Sequence, residues 1–267
     1  DVMIGNYLEF EETIARLSVR QLAKRHSILK LDYFDPARRT CHRALANLLS
    51  SARAFDEQTR AAITRVFGPS SEEIVWLKAA FSHEYDSSMG YRVMYQLRNH
   101  AQHEGLAVTG VSFGARSLTS TLGDRRVVAY VEPSIHLEAL REGGRVKRDV
   151  IAQLEALMPD HADPNEYSVP VLPYVREYVA GLSNVIMAIR QRTEKLESGW
   201  LRQVTKDYVA LRGEPDAVEY FGFQALSIND GRVKEELWLG NRIAGRLDQL
   251  REENGPLKAL TRTFLQQ

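Results

Sequence analysis

The apolar periodicity of the chain changes abruptly at Gly105, and that break constrains the fold more than any other feature. Before it, apolar residues recur every three to four positions. Residues 6 to 31 carry Leu8, Ile14, Leu17, Leu22 and Ile28 between charges, a helical pattern. Asp35-Pro36 starts a second helix, because Asp caps and Pro suits a first turn. Its apolar residues Leu45, Leu48 and Leu49 carry it to about Ala54, where Asp56 is expected to cap a short successor ending at Gly68-Pro69. Ser70 or Ser71, followed by Glu72 and Glu73, opens another helix with Ile74, Trp76, Leu77 and Phe81. A further helix spans about Ser87 to His103, with Gly105 as a left-handed cap.

Beyond Gly105 the pattern shortens towards alternation. Residues 106–118 and 126–132 read as strands, with Gly123-Asp124 as the turn of a hairpin. Gly110, Gly114 and Gly123 are expected at turns or bulges. Helical signals return at 134–142 and 145–158. The Pro-rich stretch 159–173 is a candidate linker or ordered loop, and a long helix is expected from about Pro170 to Glu197. Two strands, 218–228 and 232–239, flank Asn229-Asp230-Gly231, and the final thirty residues read as helical. The expected fold is mainly α: a helical bundle over 1–105, a β-hairpin insertion over 106–132 and a mixed α/β portion over 133–267.

Composition narrows the function classes. The 267 residues hold 35 basic and 35 acidic side chains, so net charge does not announce a nucleic-acid binder. Locally, Arg16 to Arg43 holds eight basic residues against Asp32 and Asp35, a stretch that fits phosphate contact or a solvated helix face. Charges interrupt every apolar run short of a membrane span, and the opening DVMIGNYLEFEE lacks the form of a secretory signal. The single cysteine, Cys41, excludes an internal disulfide and a cysteine metal cluster. Its neighbour His42 points about 100° away on a helix, so the two do not form a nucleophile–base pair. A reducing, cytoplasmic location is expected, with no membrane association. His100 and His103 are three apart but lack further ligands for zinc, and Gly143-Gly144-Arg145 lacks the lysine and spacing of a phosphate loop, so no metal or cofactor is expected.

The chemistry concentrates in YRVMYQLRNHAQHEG, residues 91–105. On a helix, Met89, Val93, Met94, Leu97 and Ala101 gather on one side. Arg92, Tyr95, Gln96, Asn99 and His103 gather on the other. Arg98 lies at the boundary, and Asn99 stacks one turn below His103. Metal-free RNA cleavage uses the 2′-hydroxyl as nucleophile. It needs a group that moves protons near neutrality, which histidine supplies, and a cation on the phosphate, which arginine supplies. An amide beside them can orient either group. The same residues also fit an exposed surface or a capping role, since a charged histidine suits a helix C-terminus. His83 and Glu84, just upstream, are further candidates for a base or an arginine partner, or parts of a solvated loop.

The segment LRNHAQH resembles the signature of HEPN domains (higher eukaryotes and prokaryotes nucleotide-binding). Arg98 matches the arginine, Asn99 the polar residue after it and His103 the histidine, with four residues between Arg and His. The resemblance covers about residues 1 to 105 and is sharp over the motif alone. It implies a helical bundle that forms a homodimer and places two motifs together around an RNA phosphate. It further implies metal-independent endoribonuclease activity in toxin–antitoxin, phage-defence or RNA-processing settings, where an antitoxin or regulatory protein is a partner. Arg98 would then bind phosphate, His103 act as acid or base, and Asn99 orient them, with Tyr95, His100 and Arg92 as substrate contacts. Other family members are inactive, so a non-catalytic interaction or RNA-binding module is the alternative.

Overall fold

A computed structural model describes residues 2–23, 34–103, 105–119, 125–144, 146–160, 162–163, 166–212 and 223–239, with Gln249 and Glu252. Seven helices and two small antiparallel sheets make the described chain mainly helical. It divides into two compact units between Val185 and Ile186.

The first unit opens with α1 (Val2–Ala23), α2 (Phe34–Phe67), α3 (Glu72–Ser87) and α4 (Met89–His103). The expected helix over 6–31 is present as far as Ala23, and its remainder lies outside the described residues. The break expected near Asp56 is absent, and α2 runs unbroken for 34 residues. No Gly or Pro follows Pro36 inside it, and Asp56 pairs with Arg60 four residues on and with Arg53 three residues back at 3.8 Å. Such pairs support a helix interior, so Asp56 does not act as a cap. The helix ends at Gly68, whose amide donates to the Thr64 carbonyl (2.9 Å) at φ 96°. Ser71 caps α3 as expected, its Oγ accepting from the Ile74 amide at 3.3 Å.

After α4, β1 (Gly110–Thr119) and β2 (Arg125–His136) pair antiparallel from Gly110↔Ser134 to Thr119↔Arg125. The turn expected at Gly123-Asp124 lies outside the described residues. Gly110 and Gly114 stand within β1 rather than at turns. Gly114 faces Tyr130 across the ladder, and the tyrosine ring occupies the space a Cβ would take. The hairpin gains a third strand, β3 (Ser168–Pro170), which pairs with the end of β2, so the Pro-rich stretch contributes to the sheet. Ala129, Val131, Pro133 and Ile135 alternate into the core, and β2 packs on α1. The two short helices α5 (Leu137–Glu142) and α6 (Arg148–Glu155) follow β2. The long helix α7 (Leu172–Arg212) extends 15 residues past the expected end at Glu197.

The second unit contains α7 from Ile186 onward and a hairpin of β4 (Phe223–Asn229) and β5 (Arg232–Leu239). Its turn is where the sequence placed it: Asp230 and Gly231 both have positive φ (52° and 71°), the geometry that suits a two-residue hairpin. The helix expected over the last thirty residues lies outside the described residues. Among the described residues no helix is long and apolar enough to cross a membrane.

Candidate functional site

One serine separates α3 from α4. The Ser88 amide donates to the Glu84 carbonyl at 3.2 Å, closing α3, while its Oγ accepts from the Tyr91 amide at 3.1 Å, opening α4. Glu177 of α7 reaches the same end, and its Oε2 accepts from the Gly90 amide at 2.8 Å. A carboxylate there satisfies an orphan donor and suits the positive end of the helix. Only glycine fits at position 90, since a Cβ would lie 2.4 Å from the Glu177 Cβ and 2.9 Å from the Tyr174 carbonyl oxygen. The sequence marks none of this contact, because Glu177 is 87 residues away.

The helix so anchored buries more than one stripe. Val93, Met94 and Leu97 face the core as expected, but Tyr91, Gln96, Arg98 and His100 are buried too. The cause is that α2, α3 and the first half of α7 all pack around α4, leaving little of its circumference to solvent. Gln96, placed on the polar face by its angle, is covered and donates to the Tyr85 hydroxyl at 3.2 Å.

Arg98 and Asn99 are brought together: Nη2 of Arg98 donates to Oδ1 of Asn99 at 2.5 Å. The guanidinium also lies 4.6 Å from the centre of the Tyr95 ring, a cation–π contact. Arg98 is 8% exposed, and its Nε has no hydrogen-bond partner among the described residues. It is close enough to Tyr178 to oppose the upward push that burial exerts on that hydroxyl. His103 is exposed in the last turn, while Asn99 and Tyr95 are half-buried. His100 is buried, and Gly105 folds back over it, its amide donating to the His100 carbonyl at 3.2 Å. Gly105 is not left-handed as expected. Close approach explains the residue instead, since a Cβ would sit 3.1 Å from Nε2 of His100. Arg92, almost two turns before Asn99, donates to Oε1 of Gln153 in α6 at 2.9 Å and so is tied away from the motif.

Beside the first two turns of α4 opens a cleft of about 460 Å³, which Arg98, Asn99 and His103 do not line. Tyr85, Tyr91 and Tyr95 form part of its wall, Arg53 and Arg60 enter from α2, and Lys147 lies 5.0 Å from the centre of the Tyr85 ring. Tyr85 makes edge contacts with both Tyr91 and Tyr95 at 6.4 and 5.5 Å. Of this set only Tyr95 stood out in the sequence: Tyr91, one turn before it in α4, turns towards the core, and Tyr85, Arg53, Arg60 and Lys147 come from other segments. His83 and Glu84 are in α3, not a loop. His83 is exposed, and Glu84 accepts from Asn184 at 3.3 Å rather than meeting an arginine.

Cys41 is buried, and burial pushes its thiol up to about 12, which makes it inert as a nucleophile at neutral pH. Among the described residues no group of His, Cys, Asp and Glu is arranged to hold a metal ion. No family model, curated protein or solved structure matches the chain.

Proposed function

We propose that α1 to α4, residues 1–105, form a HEPN-like, metal-independent endoribonuclease module whose site is the C-terminal end of α4, completed in a homodimer. One observation carries the reading. Arg98 is a nearly buried cation held by neutral groups, the Asn99 amide and the Tyr95 ring, and no described carboxylate pairs with it. A desolvated guanidinium without a counter-charge favours an incoming anion, and a phosphate supplies one. His103, exposed in the next turn, is the proton-transfer group of this reading.

In the proposed reaction the 2′-oxygen of a ribose attacks the adjacent phosphorus and gives its proton to one His103. The 5′-oxygen leaves as its bond to phosphorus breaks, taking a proton from the second His103 of the dimer. A 2′,3′-cyclic phosphate and a 5′-hydroxyl result. Arg98 stabilises the charge that builds on the non-bridging oxygens, and Asn99 fixes its orientation. A toxin–antitoxin or phage-defence setting in the cytoplasm, with a protein regulator, follows from the same resemblance.

An anion-seeking Arg98 is equally compatible with a second reading, a non-catalytic HEPN-like module that binds RNA or protein. Incubation with a mixed RNA pool in EDTA separates the two. Cleavage should persist without metal, fall about 100-fold or more in His103→Ala and be lost in Arg98→Ala. A folded wild type that retains RNA without cutting it, with or without metal, supports the binding module.

A further inference from the structure

The helix α1 presents two apolar faces, and its own fold uses only one. Met3, Tyr7, Phe10, Ile14 and Leu17 are buried, with α1 packed on α2 and β2. On another face Leu8, Val19 and Leu22 are 51%, 63% and 44% exposed, with Ala15 half-buried between them. Positions 8, 12, 15, 19 and 22 alternate steps of four and three, the spacing of a seam between two paired helices. Wound as a helix, the four apolar residues fall within a sector of roughly 60°. Along one edge of that sector runs an exposed charged row, Glu9, Glu12, Arg16 and Arg20, with the acids towards the N-terminus and the bases towards the C-terminus. Glu12 and Arg16 are four apart, yet the Arg16 guanidinium turns to Oγ1 of Thr13 at 3.5 Å.

We propose that this face is a homodimer interface in which α1 pairs antiparallel with α1 of a second copy. A two-fold interface must be complementary to itself. A two-fold axis perpendicular to the helices near Ile14 and Ala15 reverses the helix direction and keeps the charged row on the same side. Glu9 then faces Arg20 of the partner subunit, and Glu12 faces Arg16 of the partner subunit. Leu8 meets Val19 and Leu22 of the partner subunit, and Ala15, next to the axis, lets the backbones approach closely. A parallel pairing would instead send the two rows to opposite edges of the seam, where neither meets the opposite charges of the other. The row is self-complementary in the antiparallel sense alone, and this selects a second copy of the chain as the occupant. This pairing involves α1 alone and does not depend on the α4 assignment.

Sedimentation velocity of the full chain tests it, with circular dichroism confirming that each variant folds; all substituted charges are exposed. Wild type should show a concentration-dependent dimer. E9R/E12R makes the row wholly basic and R16E/R20E makes it wholly acidic, so each alone should weaken self-association by about tenfold or more. An equimolar mixture of the two variants should associate as a heterodimer, because every facing pair is again opposite in sign. Ala15→Cys should give a disulfide-linked dimer on mild oxidation, with the buried Cys41 taking no part. A monomer at all concentrations, a dimer indifferent to both charge reversals, or variants that fail to recombine would each overturn the proposal. So would a monomer whose only response to R16E/R20E is weaker RNA binding, which would assign the face to nucleic acid.

Discussion

Gly90 shows how one residue sets the geometry of α4. Its missing side chain lets the Glu177 carboxylate reach the first turn, and the space a methyl would occupy is already filled on two sides by Glu177 and Tyr174. Gly90→Ala should therefore destabilise the protein by about 2–3 kcal/mol despite its better helix propensity. Urea titration checks this; a neutral or stabilising effect would mean that α7 yields easily there. Arg98 depends on the same neighbourhood. Its side chain was legible as the motif arginine, but its covering by Tyr95 and its closeness to Tyr178 were not. Angular position on a helix gives direction, whereas burial depends on how many partners surround that helix.

Between elements, the buried pair of Glu11 and Arg176 joins α1 to α7. Nε and Nη2 of Arg176 donate to the two carboxylate oxygens at 2.8 and 2.9 Å, a bidentate bond over 165 residues of sequence. The Glu11 side chain is only 6% exposed, so Arg176→Met strands a buried carboxylate and should cost about 3–5 kcal/mol. The double variant E11L/R176M should recover most of that loss, because the stranded charge is gone. Equal stability of the single and double variants would contradict this account. The α2 helix carries the opposite lesson. An aspartate looked like a cap in isolation, but flanking arginines made it an interior residue.

Across the whole molecule, acid sensitivity should trace to His42. Its Nδ1 accepts from the Ala107 amide at 3.1 Å, joining α2 to the segment before β1. Burial, and secondarily the charge of Arg38, holds its pKa below the usual 6.5. The folded state thus keeps His42 neutral where the unfolded chain binds a proton. The contribution is complete above pH 6.5 and is lost as pH falls below it towards the lowered folded value. Wild type should lose more Tm between about pH 7.5 and pH 5.5 than His42→Gln does. Identical slopes for the two proteins would remove His42 from the account.

Local physics determined what could be read from the chain alone. Side-chain periodicity marked the helices and the strand pairs, Ser71 and Gly68 marked ends, and Asp230-Gly231 marked a turn, because each depends on residues a few positions apart. The Arg98-Asn99 pairing is likewise a contact between neighbours. Only the tertiary structure decided that β3 would join the first hairpin, that Glu177 would cap α4 and that Arg98 would be covered. It alone gathered Tyr85, Tyr91 and Tyr95 around one cleft with Arg53 and Lys147. These outcomes depend on contacts between residues distant in sequence, and their energies exist only once the packed elements have excluded water.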